Sequence, residues 1–347
     1  MRTNKPTLLL TGATGVAGRA FIDELYDTYD IVCLRHRTPV GDPRVREVRG
    51  DLTTPGLGLD AAAWRAVGDI DAVLHCAAVT DFRTSREGLF VANVDGTARV
   101  LDVVATTGAR LYHVSTAFVW RDPAAADDDQ GGPSPSGPLA YVDSKIAAER
   151  LVAGSGLPHV IVRPSVIIGD SKDGRMSSFQ GIHKLAAAIL RNSVPLLPSP
   201  PNVLIDYVPQ DVVALAVRQL LDGGVTGGEY WLTAGEAATP LADLVAELLE
   251  LGRELGISVV RPRMVSAGMV DRLLLPLLED MITPRLRRQF LMQMDMLRLF
   301  QHDTPLPSSL PSLGFDLTRW SQLDAFRRST EYLARKHELV PAAGVAG

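Results

Sequence analysis

The stretch that most restricts this chain lies near its start: "TLLLTGATGVAGRAFIDEL", residues 7–25. An apolar run of strand type meets a glycine-rich turn, and a helical pattern begins at once. Gly12, Gly15 and Gly18 stand in a G-x-x-G-x-x-G spacing. Gly12 suits the tight turn, Gly15 lets backbone approach a pyrophosphate, and Gly18 lets helix pack on strand. Free N–H groups at the helix start, together with its dipole, favour phosphate. Glycines at this spacing also fit a merely structural turn. Set between strand and helix, they predict a dinucleotide site cradled by Gly12, Thr14, Gly15, Val16 and Gly18.

The next 140 or so residues repeat the same alternation. Strand-type runs fall at 7–11, 31–35, 45–48, 72–78, 110–116 and 159–164, and helical patterns at 16–29, 59–67, 93–108 and 140–153. Buried strands alternating with helices predict an α/β fold, a Rossmann-type doubly wound parallel sheet. After residue 164 the pattern becomes mostly helical, at 178–191, 211–221, 240–255, 266–279, 284–300 and 320–336, with one further strand at 229–233. The expected division is a nucleotide-binding domain, 1–165 with parts of 200–235, and a smaller, mostly helical C-terminal substrate lobe, 166–200 and 236–347. "RDPAAADDDQGGPSPSGP" (121–138) reads as a mobile loop.

Bulk properties exclude some classes. A formal net charge of −5 argues against nucleic acid as the main partner. Cys33 and Cys76 lie in strand-type runs and read as small buried hydrophobes, with no metal site or disulfide implied. No apolar run reaches the ~18 residues of a membrane span. The glycine turn comes too early for a signal peptide. A soluble cytoplasmic protein is expected; nothing indicates its oligomeric state.

The second strand run ends "CLRHRT". A carboxylate there would bind the ribose 2′-OH of NAD. Arg35 and Arg37 stand in its place, and a guanidinium fork pairs with a 2′-phosphate, so NADPH is the expected cofactor. The alternative is that one or both arginines are simply solvated.

"RLYHVST" ends in Thr116, and "YVDSK" follows on the next helical pattern. Tyr141 and Lys145, four apart, share a helix face. A phenol titrates near ~10, and a neighbouring ammonium is expected to lower it. Lys145 is also placed to donate to the nicotinamide ribose. Thr116, or Ser115 in its stead, would hydrogen-bond an oxygen that becomes negative as hydride arrives. Y-x-x-x-K alone is mostly surface accident. With the glycine turn and a hydroxyl at a strand end, it predicts a catalytic set of Thr116, Tyr141 and Lys145.

"TGATGVAG", "HCAA", "NVDGT", "HVSTAFV", "YVDSK" and "VRPSVIIG" follow one another in the order of the extended short-chain dehydrogenases/reductases, which residues 7–235 resemble. The resemblance implies that Asp51 and Leu52 lie against adenine, Ala77 and Ala78 beside the cofactor ribose, and Pro164 and Ser165 at the nicotinamide. "GDLTTPGLGLD", "HCAAVTDF", "RPSVIIGDSKDGRMSSFQGI" and "IDYVPQDVVALAV" are similar to the fatty acyl-CoA reductase and carrier-protein thioester reductase branch, although Thr80 replaces its usual apolar residue. That branch implies NADPH-dependent reduction of an acyl thioester to an aldehyde, and with a second hydride to an alcohol. The substrate would be an acyl-CoA or an acyl group brought by a carrier protein in trans. A ketoreductase or a nucleotide-sugar epimerase/dehydratase would show the same catalytic residues. A non-catalytic NADP-binding scaffold is the remaining rival.

Phe82, Phe118, Phe179 and Gln180 are candidates for the substrate pocket, with plain core packing as the alternative. His75 and His113 read as core, and His183 as a structural histidine or a further pocket residue. The helical patterns across 266–300 are expected to be core, or an acyl tunnel or carrier-protein face. "PRLRRQF" (284–290) is expected to be a solvated face or a phosphopantetheine contact.

Overall fold

Seven parallel strands form the central sheet, and their order shows how the chain is wound. The computed structural model describes residues 5–120, 137–179, 181–265 and 299–339. The strands are β1 (Thr7–Thr11), β2 (Asp30–Arg35), β3 (Arg46–Arg49), β4 (Ala72–His75), β5 (Arg110–Val114) and β6 (His159–Pro164), with Glu229–Leu232 as the seventh. They lie in the order Glu229–Leu232, β6, β5, β4, β1, β2, β3, and every pair is parallel. The order reverses between β1 and β4. At such a switch point, a ligand binds outside the carboxyl ends of the strands.

The helices of this sheet are α1 (Val16–Leu25), α2 (Ala61–Val67), α3 (Arg86–Phe90), α4 (Gly96–Thr107) and α5 (Pro138–Gly154). Leu9, Val32, Val73, Leu111 and Ile161 of the strands pack with Val100, Val104 and Val152 of α4 and α5. Each such aliphatic residue contributes roughly 1.5–3 kcal/mol by burial. The continuous apolar runs were strand signals for this reason: both faces of the sheet are covered.

Among the boundaries that differ from the sequence pattern, that of α1 is set by local turn bonds, that of β4 by tertiary contacts and that of α4 by an irregular first turn. α1 stops at Leu25, where the amides of Thr28 and Tyr29 turn back to the Leu25 carbonyl at 3.0 and 2.9 Å. β4 stops at His75 because the amides of Ala77 and Val79 bond to the side chains of Thr11 (3.2 Å) and Asn93 (2.8 Å). Cys76 therefore lies off the strand and half-buried, whereas Cys33 is buried within β2; both are free thiols. A single π turn over Val91–Asp95 precedes α4, so the expected helix over 93–108 has an irregular start.

The chain divides into two units. The first comprises Met1–Ser165, Asp211–Thr233 and Ser308–Gly314; the second comprises Val166–Gln210, Ala234–Pro307 and Phe315–Gly347. In the second, helices Ile182–Leu190, Leu241–Glu254 and Arg319–Lys336 pack on one another. The Thr318 side chain caps the last of these by accepting from the Ser321 amide at 3.1 Å. The first begins at Ile182, which leaves Phe179 ahead of it.

Several sequence features lie outside the described residues: Gln180, most of the loop at 121–138, the helical pattern at 266–279, nearly all of that at 284–300, and the basic stretch 284–290. Among the described residues no helix is long and apolar enough to cross a membrane. None of their His, Cys, Asp and Glu residues form a group that could hold a metal.

Candidate active site

The glycine turn and the loop after β4 touch at the switch point. Gly12 has φ +76°, and a Cβ there would lie 2.6 Å from the Ala77 nitrogen. A Cβ on Gly18 would lie 2.1 Å from the Gly12 carbonyl oxygen, so helix and turn meet with no room for a side chain. Thr14 and Gly15 are exposed at the start of α1, and Val16 is half-buried. Gly15 is the N-cap, and its side of the turn is bare backbone. Ala77 and Ala78 are half-buried, and Pro164 and Ser165 are buried at the end of β6. The hydroxyls of Ser115 and Ser165 are buried and lack a hydrogen-bond partner among the described residues. A backbone cradle with unfilled hydroxyls at two strand ends fits a dinucleotide.

Thr116 and Tyr141 are brought together. Both are buried, and the Thr116 hydroxyl stands near enough to the Tyr141 phenol to act on its titration. The Phe118 amide donates to Thr116 Oγ1 at 3.3 Å, which orients the hydroxyl. Phe82 lies against Tyr141, with ring centroids 5.7 Å apart, whereas Phe118 is buried in the turn after Thr116. Lys145 is 2% exposed and donates from Nζ to the Val114 carbonyl at 2.9 Å. Burial brings its ammonium down to about 8, against the opposing influence of Cys76 and Glu149. Burial also pushes the Tyr141 phenol well up, with Cys76 adding to this and the Thr116 hydroxyl partly offsetting it. The expected lowering of the phenol by Lys145 is thus corrected: desolvation dominates, and the influence opposing it comes from Thr116 rather than from Lys145.

A directed hydrogen-bond chain runs behind these residues. The Ala77 amide donates to Thr11 Oγ1, so the Thr11 hydroxyl is the donor to His75 Nδ1 at 2.7 Å. His75 Nε2–H then donates to Thr97 Oγ1 at 3.1 Å, and Thr97 donates to the Asn93 carbonyl at 2.7 Å. Only the neutral Nε2–H form of His75 satisfies this order, and burial agrees by pushing the imidazole down to about 3. The Asn93 amide continues to Ser144 at 3.0 Å, and Ser144 donates to the Tyr141 carbonyl at 2.7 Å. His113 stacks near His75, is buried, and is held neutral for the same reason.

At the other end of the cradle, Arg35 pairs with Glu47 (Nε to Oε2, 3.2 Å), and Glu47 also accepts from the amides of Val40 and Gly41. Arg37 is exposed. Asp51 accepts from the amide and hydroxyl of Thr53 at 2.9 and 2.7 Å, which holds its carboxyl below the usual range. Leu52 packs into the core beside it. Phe179 belongs to the second unit, where it contacts the rings of His183, Tyr332 and His337. His183 is buried there, with Nε2 2.6 Å from Ser329 Oγ.

Sequence reasoning missed Arg163 and Glu149. Arg163 forks onto Glu149 at 2.9 and 2.8 Å in a buried pair. The signals were present: an arginine inside an otherwise apolar strand, and a glutamate four residues beyond Lys145 on its helix face.

The pattern of the Male sterility protein family, a group of NAD-binding domains, matches residues 33–217. A polyketide synthase–nonribosomal peptide synthetase of Aspergillus clavatus is 32% identical over 260 residues, covering 68% of this chain and 6% of that protein. Peramine synthetase ppzA of Metarhizium majus is 26% identical over 284 residues, covering 69% and 10%. The chain thus spans a tenth or less of these two relatives. Among solved structures, the terminal R domain of the myxalamid PKS-NRPS pathway matches with TM-score 0.73 at 23% identity, covering 99% of this chain and 94% of that one. An archaeal thiolation-reductase di-domain matches with TM-score 0.69 at 19% identity, covering 96% and 76%.

Proposed function

The chain belongs to the Male sterility protein family of extended short-chain dehydrogenases/reductases, NAD(P)-dependent oxidoreductases, and from that premise we propose that it reduces an acyl thioester with NADPH. The observation that carries the proposal is the burial of Thr116, Tyr141 and Lys145 together at the carboxyl end of β5, with Lys145 Nζ anchored on the Val114 carbonyl. Bound NADPH would supply the hydride for the thioester carbonyl. Thr116 and Tyr141 would donate to the carbonyl oxygen as it gains negative charge. Because the Phe118 amide already donates to Thr116, the hydroxyl hydrogen is left to point at Tyr141 or at the substrate. A thiol leaves with a pKa near ~8.5, so release of aldehyde needs no further acid. Reduction of that aldehyde to an alcohol would draw a proton from Tyr141.

The choice of thioester is supported by the reductase and peptide-synthetase names of the relatives. It implies a carrier protein or coenzyme A as the acyl donor, and the second unit as the substrate lobe. NADPH over NADH is supported by the arginines at and just beyond the end of β2, Arg37 exposed and Arg35 held by Glu47. The other assigned contacts follow the same reading: Gly12, Thr14, Gly15, Val16 and Gly18 at the phosphates, Asp51 and Leu52 at adenine, Ala77 and Ala78 at the ribose, Pro164 and Ser165 at the nicotinamide. Phe82, against the Tyr141 ring, is the pocket candidate with the best support.

The test incubates the protein with NADPH and a panel of acyl-CoAs and acyl-carrier thioesters. NADPH loss, free thiol and trapped aldehyde are followed together. Matched release of thiol and aldehyde is expected. Reduction of ketones with no thiol released would overturn the thioester reading and favour a ketoreductase.

A further inference from the structure

Arg163 lies in the interior of β6, 7% exposed, opposite Trp231 in the register with the edge strand. Each nitrogen of its guanidinium has a carboxylate partner. Nε and Nη2 donate to the two oxygens of Glu149 at 2.9 and 2.8 Å, and Nη1 donates to Glu229 at 2.6 Å. Its face lies 4.5 Å from the centroid of the Trp231 ring. Trp231 in turn meets Trp120 edge-on, with centroids 5.7 Å apart and planes at 89°.

The two ends of this cluster reach two different parts of the catalytic set. Glu149 is one turn beyond Lys145 and two beyond Tyr141 on α5, so the carboxylate fork grips the helix that carries both. Trp120 closes the short turn that Thr116 opens: the Val119 amide bonds to the Thr116 carbonyl at 3.4 Å, and the Trp120 amide bonds to that of Ala117 at 3.0 Å. For stability alone, an apolar side chain would often serve a buried position as well, because ions lose hydration there. What an apolar residue lacks is a planar fork with a stacking face, which fixes direction as well as distance.

We propose that Arg163 is a positioning residue for the reduction: through Glu149 on one side and Trp231–Trp120 on the other, it sets where the Thr116 hydroxyl stands relative to Tyr141 and Lys145. The inference rests on those three being the catalytic set. Lysine cannot replace Arg163, because it keeps the charge and loses both the fork and the stacked plane.

The test is a set of variants followed by turnover, NADPH dissociation constant by fluorescence titration, and melting temperature. Arg163→Lys and Trp120→Leu are each expected to lower kcat about tenfold or more, with the NADPH constant changed less than about twofold. Trp120→Leu covers the case in which Arg163 variants fail to fold. The discriminating step places Trp120→Leu in a Thr116→Ala background. A residue acting through Thr116 adds little once that hydroxyl is gone, whereas general damage to the fold lowers kcat by the same factor in both backgrounds. Equal factors, or unchanged kcat in Trp120→Leu, would overturn the inference. Tyr141→Phe is run beside them. If it keeps full turnover, the reading of the catalytic set fails. If it is inactive while Trp120→Leu and Arg163→Lys retain kcat, only the role of Arg163 fails.

Discussion

Lys145 holds its charge at a cost that should be visible in stability. Burial takes its ammonium from an ordinary 10.5 down to about 8. At ~1.4 kcal/mol for each pH unit of that gap, the fold gives up about 3 kcal/mol near neutral pH by keeping the proton there. The perturbation is Lys145→Met, which removes the titration and leaves a chain of similar length. Below about pH 8 both folded and unfolded wild-type chains hold the proton, so the difference between wild type and variant is constant. Between about 8 and 10.5 the unfolded chain keeps the proton while the folded one releases it. Wild type must then gain stability relative to the variant as pH rises, by about 3 kcal/mol in all. Urea unfolding of both proteins across this range reads the gap as a relative shift of the midpoint by about 1–3 M. Selective carbon-13 labelling of lysine reads the Lys145 titration directly. Parallel stability curves, or a Lys145 resonance titrating near its ordinary value, would refute the argument from burial. The variant should also lose turnover, so stability and activity move in opposite directions at this residue.

Four other perturbations follow from the site. Tyr141→Phe should lower kcat roughly 100- to 10,000-fold while NADPH still binds, measured by steady-state turnover and fluorescence titration. Gly18→Ala should cost about 3 kcal/mol and abolish cofactor binding, because its Cβ would meet the Gly12 carbonyl at 2.1 Å and backbone cannot swing aside; a melting curve unchanged from wild type contradicts this. Arg37→Ala should raise KM for NADPH roughly tenfold or more with KM for NADH unmoved. Arg35→Ala should do the same and also loosen the segment around Val40, since Glu47 holds both; equal effects on the two cofactors would dismiss the 2′-phosphate role.

How much was legible depended on whether the cause lay close by in sequence. β1 and β6 fall where their apolar runs fall, at Thr7–Thr11 and His159–Pro164, because each is buried over nearly its whole length. The C-terminal helix starts within a residue of its expected place because Thr318 caps it locally. β4 was read three residues too long because its exit is set by Thr11 and Asn93, far off in sequence. At the site, the four-residue spacing placed Tyr141 and Lys145 on one face. It carried no information on the Val114 carbonyl that takes the Lys145 proton donor, nor on the burial that raises the phenol. The Arg163 fork joins partners 14 and 66 residues away, which no local pattern reports.

The seventh strand has a consequence for how the chain is made. β6 ends at Pro164, but its outer neighbour, Glu229–Leu232, is translated some 65 residues later, after a segment that belongs to the other unit. The backbone on the far side of that neighbour is capped later still, where Trp231 and Ser309 exchange hydrogen bonds at 3.0 and 2.8 Å. A nascent chain that has emerged only to residue 165 therefore presents β6 as a raw edge, with the Arg163 charge facing Glu149 but lacking Glu229 and Trp231. Raw edges recruit foreign strands. In this chain the interval between ribosomal emergence of residue 165 and residue 232 leaves the β6 edge open, and soluble yield is expected to respond to codon choice or chaperone access within it.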